Sequence, residues 1–578
     1  MATREGAVHV VTTRRGYKDK VYETHLLRRS YREDGKVKNE TVGNLSHLPA
    51  HVIELVRRAL KGDAFTSVAD TFEITSSVAH GDAKAVAIAM RKLGFRDLLS
   101  SRPCREADLV TAMVIARIIA PHTKLATTRW WHTSTLAEDL GVADASEDDL
   151  YRAMDWLLER QPAIEKKLAA RHLDDNSLVL YDLSSSYFEG TCCPLAKLGH
   201  NRDRTGHKLQ VNYGLLTTSR GCPVAVSVYD GNTNDAKTLL PQVRKLRDDF
   251  GIKTLVIAGD RGMVSQKAID ELKDLDGAHW ITALKSGQLR ALLDEGRLQL
   301  GLFDERNLFE LSHPDFPGER LIACRNPELA KLRSRKRESL LEATTTELTK
   351  VLGMVERGRL RGAAAIGVRV GKVVNKYKVA KHFALDIQDD RFTFHIVTEH
   401  VAAEAALDGI YVIRTDLPKK QLSAADTVRS YKMLSNVERG FRTIKTVDLK
   451  VRPIHHRLED RVRCHIFLCI LAYYVEWHMR EAWRPVLFSD EDQDAKLQRD
   501  PVAPAPRSAG AENKAVTHTL PDGTQAHSFR TLLQELASIV RNTCRAPGAN
   551  DDARTFTVTT TPTRTQQRAF ELLESLTL

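Results

Sequence analysis

Two short apolar runs, each closed by an aspartate, do most to limit what this chain can fold into. Leu178-Val179-Leu180-Tyr181 runs into Asp182, and Leu255-Val256-Ile257-Ala258-Gly259 runs into Asp260. Runs of this length and composition read as buried strands. Around them, residues 176–284 alternate strands and helices. Strands Lys208–Leu216 and Pro223–Tyr229 flank the turn Thr218–Gly221, and a helix from Leu239 to Phe250 leads to the strand before Asp260. A helix capped by Ser265 then precedes a strand from His279 to Leu284. Three strands in hairpin order followed by helix–strand units predict an α/β fold with a mixed sheet flanked by helices.

The rest of the chain is arranged around that block. Residues 1–75 predict a β-hairpin module, with strands at Val8–Val11, Tyr22–Tyr31 and Lys36–Val42, an Asp34-Gly35 turn and a helix near His51–Leu60. This basic module can touch DNA or serve as a plain structural hairpin. Residues 76–175 show apolar spacing of three and four over Ala85–Leu93, Asp108–Ile119, Asp148–Leu158 and Ile164–His172, a helical, DNA-binding domain on this reading. Thr123–Gly141 has room for a helix-turn-helix, with a helical packing domain as the plainer alternative. Residues 176–284 and 406–483 read as the two parts of one α/β core. Between them, residues 285–405 read as a β-containing insertion domain with a charged helix from Pro327 to Arg357 and a strand Phe392–Ile396. Ile410–Ile413 returns to the sheet. Residues 484–578 read as a linker, marked by Pro501-Val502-Ala503-Pro504-Ala505-Pro506, and a helical tail, Ser528–Arg541.

At 578 residues with a net charge of +11, the chain suits a polyanionic partner. Eight cysteines without a C-x-x-C pair argue against a zinc site and for reduced thiols. The residues after Met1 lack a signal-peptide apolar region, and Ile466–Val475 is too short to span a bilayer. A cytoplasmic, nucleoid-associated protein without membrane contact is expected.

A third acid, Glu438, opens the basic stretch Glu438-Arg439-Gly440-Phe441-Arg442-Thr443-Ile444-Lys445. Three carboxylates from two strands and a helix can hold two Mg²⁺ ions, for which Mn²⁺ can substitute, and hard oxygen ligands suit such ions. Asp182 is expected to bridge, with Asp260 and Glu438 completing the sites. Each acid has a plainer reading. An Asp after a strand often caps a turn, and Ser435-Asn436-Val437-Glu438 satisfies a capping box. Asp230 and Asp235 are further candidates in a turn-rich context. On a helix Glu438, Arg442 and Lys445 share a face, suited to a scissile phosphate or to a simple Glu438–Arg442 ion pair. The run Lys331, Arg333, Arg335, Lys336, Arg337 either follows a phosphate backbone or forms a solvated face. His455, His456 and His465 read as structural or phosphate-contacting. Gly367–Lys372 falls short of a Walker A loop, so ATP binding is rejected.

The pieces Tyr181-Asp182-Leu183-Ser184, Ala258-Gly259-Asp260-Arg261-Gly262 and Glu438-Arg439-Gly440-Phe441-Arg442, in this order over residues 176–480, resemble the DDE transposases of bacterial insertion sequences. More narrowly they resemble the insertion-sequence-four superfamily, with its ribonuclease H-like core. Tyr431, Glu438 and Lys445 match that group's Y-x(2)-R-x(3)-E-x(6)-K spacing, while Leu434 stands at the arginine position, with Arg439 and Arg442 nearby. The resemblance implies catalytic and metal-holding Asp182, Asp260 and Glu438, and DNA contacts by Tyr431, Arg439, Arg442 and Lys445. It implies an enzyme that binds terminal inverted repeats, cleaves the element ends and joins them to target DNA as a homodimer. The alternatives are a metal-dependent nuclease without strand transfer and an inactive, transposase-derived DNA-binding protein.

Overall fold

A computed structural model describes residues 6–17, 20–63, 65, 71–200, 202–203, 206–299, 303–304, 306–492, 500–504, 506–546 and 555–578. The first five residues, Asn201 of the loop before the second core strand, and Ala505 of the linker lie outside them.

One unit combines residues 1–77 with 541–559. Its antiparallel sheet runs β1 (Ala7–Tyr17), β2 (Lys20–Glu33), β3 (Lys36–Asn44). The β2–β3 turn is Asp34-Gly35, both at positive φ, as a tight two-residue hairpin requires. A helix, Ala50–Ala59, follows. In a second sheet, β4 (Glu73–Ala79) pairs with Val540–Arg545, which pairs with Phe556–Thr559. The expected helical tail therefore ends at Ala537 and turns into strands, because Val540-Arg541-Asn542-Thr543-Cys544 carries β-branched residues past the helix end.

The larger unit is built on an eight-stranded mixed sheet. Its strands are β5 (Ser177–Tyr187), β6 (Gln210–Thr218), β7 (Pro223–Asp230), β8 (Leu255–Gly259), β9 (Ala278–Ala283), β10 (Leu308–Leu311), β11 (Arg320–Arg325) and, beyond the hairpin β12 (Phe383–Ile387) and β13 (Phe392–Ile396), β14 (Ile410–Thr415). The spatial order is β10-β11-β14-β9-β8-β5-β6-β7, with β5, β8 and β9 parallel and the other pairs antiparallel. Both faces are covered. Along β5, Val179, Tyr181 and Leu183 pack with the helices Leu239–Arg244 and Gln266–Lys273, whereas Leu180 joins the other face.

That other face is covered by Arg105–Ile119, by Glu147–His172 and by Glu459–Ala482, whose apolar residues share one core with the sheet. The expected separate helical domain is thus a layer of the core. Its two expected last helices are one, Glu147–His172, continuous through Pro162 and started by a Ser146–Asp149 capping box. Thr123–Gly141 holds only short helices, Lys124–Trp130 and Leu136–Asp139.

The expected insertion is divided. β10 and β11 extend the core sheet, and only the part from Pro327 to Ala405 forms its own cluster. That cluster comprises the helices Pro327–Glu356, Ala363–Tyr377 and Thr398–Ala405 and the β12–β13 hairpin, with Leu348, Ile366, Val370 and Phe392 buried among them. It is mainly helical. The eight cysteines are free thiols, six of them buried, and among the described residues no single helix is long and apolar enough to cross a membrane.

Candidate active site

Asp182 and Asp260 are brought together by strand register. Tyr181 pairs with Gly259 across the parallel β5–β8 ladder, so the next residue on each strand lies at the same level, one strand spacing of about 5 Å apart. β8 stops at Gly259, and Asp260 starts a turn in which its carbonyl accepts from the Met263 and Val264 N–H groups. β5 instead continues to Tyr187, so Asp182 lies inside a strand rather than closing one.

Alternation along β5 puts Asp182 on the face of Leu180 and Ser184. The helix Leu434–Arg442 covers that face, burying Val437 and Phe441 and placing the Phe441 ring 5.8 Å from that of Tyr213 on β6. Val437, Gly440 and Phe441 point inward, and Glu438 is left at the cleft rim. Gly440 permits this approach, because a Cβ there would meet the Tyr473 hydroxyl at 2.9 Å. The capping-box reading of Glu438 does not hold: the helix starts at Leu434 with Met433 as cap, so Ser435 lies inside it. Among the described residues Glu438 forms no ion pair with Arg442 either.

A cleft of about 780 Å³ is lined by Asp182, Asp260, Glu438, Tyr431, Arg442 and Lys445. Six of the seven expected site residues therefore meet. Arg439, on the helix side away from the cleft, does not line it, since successive residues of a helix diverge by about 100°. Leu434 lines the cleft where the resembling group has arginine, and Arg202 lines it as well.

The electrostatics mark Asp182 out. Burial pushes its carboxyl up to about 7, the Glu438 and Asp260 carboxylates push in the same direction, and the Leu183 N–H and Arg202 oppose. Among the described residues the oxygens of the three acids do not all close to within 4.8 Å, a span wider than one shared ion would impose. An all-oxygen donor set of this kind fits hard divalent cations.

Lys445 lies past Arg442, in the π turn Thr443–Val447. Its ammonium donates to Asp203 at 2.5 Å and to the Ser184 hydroxyl at 3.2 Å. Asp203 also pairs with Arg452 and accepts from the Tyr187 N–H at 3.1 Å. Arg202 pairs with Asp235 at 2.6 Å, which makes Asp235 an anchor for that loop rather than a free ligand; Asp230 does not line the cleft. Arg202, Asp203 and Arg452 escaped the sequence reading, which had only the polarity of Gly199–Asp203 to go on.

A basic groove of about 1050 Å³ starts at Asp260 and Tyr431 and is lined by Arg261, Arg290, Arg333, Lys336, Lys376 and Lys378. Of the charged run on the helix Pro327–Glu356, Arg333 and Lys336 line this groove, and among the described residues no acid pairs with either. Arg337 forks onto Asp408, and Lys331 pairs with Glu328 at 2.9 Å.

Residues 188–475 match the family model for the transposase DDE domain, a span that holds Asp260 and Glu438 and begins just past Asp182. Residues 10–68 match the N-terminal domain of IS1634 family transposases. No curated protein matches the chain. A cryo-EM structure of a piggyBac transposase synaptic complex with hairpin DNA is similar over 78% of this chain and 77% of that one, at 9% identity and a TM-score of 0.36, too loose a likeness to carry an argument. A DDE domain implies a transposase that acts on DNA and depends on a divalent metal. The two matches together span more than half of the sequence, and the chain belongs to the DDE transposases of bacterial insertion sequences, in the IS1634 family.

Proposed function

We propose that the protein binds the terminal inverted repeats of its own element, cleaves at the element ends and joins the 3′-hydroxyls to target DNA by two-metal phosphoryl transfer. The observation that carries this reading is the register that sets Asp182 and Asp260 side by side beneath Glu438 in one cleft. The order β7-β6-β5-β8-β9, with the first three strands antiparallel and the last three parallel, supports a ribonuclease H-like core.

Asp182 would be shared between two Mg²⁺ ions, with Asp260 and Glu438 holding one each; Mn²⁺ has the same oxygen preference. Bound there, such a pair activates an attacking oxygen and compensates charge on the leaving one. The protein's own groups do the positioning. Lys445, pinned by Asp203 and Ser184, holds its ammonium in the cleft, two residues along β5 from Asp182. Arg442 and Arg202 stand in the cleft in place of the arginine that Leu434 replaces. Tyr431 lines both the cleft and the basic groove, so a strand entering along Arg333 and Lys336 reaches the acids past its ring. Joining two ends requires two such clefts, hence a homodimer in the active complex, working on the nucleoid in the bacterial cytoplasm.

The test uses DNA flanking the gene. Labelled duplexes carrying its inverted repeats are incubated with protein and Mg²⁺, and products are resolved by size. Joined products support the reading. Cleavage without joining would leave a nuclease, and binding without either would leave a DNA-binding remnant.

A further inference from the structure

Next to the acidic cleft lies a second cavity, of about 660 Å³, with the opposite charge. Its walls come from the end of the helix Arg105–Ile119, the start of Lys124–Trp130 and the loop 450–458 before Glu459–Ala482. Arg117, Lys124, Lys450, Arg452, Arg457 and Arg461 line it, and no carboxylate does. Two of these cations have acids behind them, Arg452 on Asp203 and Arg461 on Asp155 at 3.7 Å. Arg117, only 7% exposed, donates to the His122 carbonyl at 3.2 Å.

Lys124 decides what the cavity is for. It is 4% exposed, its side chain lines the cavity, and among the described residues no acid pairs with its ammonium. An uncompensated buried charge is costly unless something arrives to pair with it. Its surroundings show the strain: burial, with Arg117 adding to it, pulls the Lys124 ammonium down to about 8, and burial with Lys124 and Arg117 nearby pulls His456 down to about 3. At neutral pH the lysine stays charged and the cavity carries several unmatched positive charges. The missing component is an anion. Arg452 lines this cavity and the acidic cleft alike, so an anion here is one side chain away from the carboxylates.

We propose that this cavity is a phosphate-binding site for the DNA strand whose neighbouring phosphodiester enters the Asp182–Asp260–Glu438 cleft, with Lys124 as its buried counter-charge. The proposal rests on the transposase reading above. Phosphate contacts of this kind fix the register of a strand and carry no sequence information.

The experiment measures binding of the full-length protein to a mixed-sequence duplex by fluorescence anisotropy across a salt series at pH 7. Lys124→Met keeps length and apolar packing, and Arg457→Gln alters only the exposed loop. Each lost phosphate contact should lower the salt slope by about one and cost about fivefold in affinity near 0.15 M salt. Lys124→Met should also melt no lower than the parent, since it removes an unpaired buried charge; a lysine that merely supported the fold would lower melting and leave the slope alone. If Lys124→Met fails to fold, Arg457→Gln decides alone. Unchanged affinity and slope in the variants, with a steep slope in the parent, would overturn the proposal. Inorganic phosphate is the control: if it protects the parent but not Lys124→Met from melting while DNA affinity is equal, the cavity serves a free anion and the DNA assignment falls. If the parent itself binds no DNA, the transposase reading fails first and takes this proposal with it.

Discussion

Replacing Asp182 with asparagine should stabilise the metal-free protein, and only in a defined pH window. The carboxyl has its ordinary value of 3.8 when unfolded and is raised to about 7 by burial in the fold. Below pH 3.8 both states hold the proton. Between the two values the folded state holds a proton that the unfolded state has released, so stability falls as pH rises, and above 7 the loss is complete. Each tenfold change in proton affinity is worth about 1.4 kcal/mol, which bounds the full penalty at about 4 kcal/mol. Water entering the open cleft and local relaxation reduce it to about 2 kcal/mol. In a unit of several hundred residues that is about 2 °C in Tm. The Asp182→Asn amide keeps an oxygen to accept from the Leu183 N–H but carries no charge. Calorimetry in EDTA should therefore show Asp182→Asn melting about 2 °C above the parent at pH 8, with less than half that gain at pH 5. Adding Mg²⁺ should reverse the order, raising the parent and not the variant. A variant that melts lower at pH 8, or a gain independent of pH, would refute the argument that Asp182 is a desolvated ligand awaiting cations.

Three further outcomes are expected. Glu438→Gln should keep the fold and DNA binding and lose cutting and joining altogether, because the cap of its helix is Met433 and no cap bond is removed; normal activity in the labelled-end assay would move the third ligand elsewhere. Neutralising Arg333 and Lys336 should lower the salt slope of DNA binding by about two, whereas Lys331→Gln, already paired with Glu328, should leave it unchanged; equal slopes would show that the groove carries no DNA. Gly440→Ala should cost about 1–3 kcal/mol, measured by denaturant unfolding, since its Cβ would meet the Tyr473 hydroxyl at 2.9 Å, and adding Tyr473→Phe should return part of it; no loss would show that the two helices separate freely.

What was legible in the sequence was whatever local pattern determines. Apolar runs and turn residues foretold β5 through β9, the Ser146 and Ser265 caps and the return at Ile410, because strand period and capping chemistry act over a few residues. Convergence of Asp182 and Asp260 was legible in part: both follow apolar runs, but Asp182 lies inside β5, and it is the Tyr181–Gly259 register rather than a shared strand end that aligns them. The capping pattern at Ser435 misled because helix starts depend on the preceding chain: the helix Ala424–Lys432 ends close by, and Met433 links the two without a side-chain cap. The division of the insertion was not legible, as β10 and β11 join the sheet only through pairing with β14, a partner about ninety residues away. Arg439 looked as suitable as Arg442, and only the orientation of Phe441 and Gly440 toward the core separates them.

The two cavities that share Arg452 are complementary in what they lack. One gathers three carboxylates, with Asp182 held where its charge is disfavoured; the other gathers cations around a lysine that has no acid partner among the described residues. A fold selected for stability alone would pair these charges with each other, and the protein does so with Arg202–Asp235, Lys445–Asp203 and Arg337–Asp408 nearby. On the proposed function, the groups left unpaired among the described residues would be completed from outside, by divalent cations on one side and by phosphate on the other. A metal-loaded DNA strand supplies both at once. Binding of Mg²⁺ and of DNA should accordingly be mutually strengthening: DNA affinity measured with Mg²⁺ at fixed ionic strength should exceed that in EDTA, and Asp182→Asn should abolish the difference. Equal affinities in the parent would mean that the two cavities act independently.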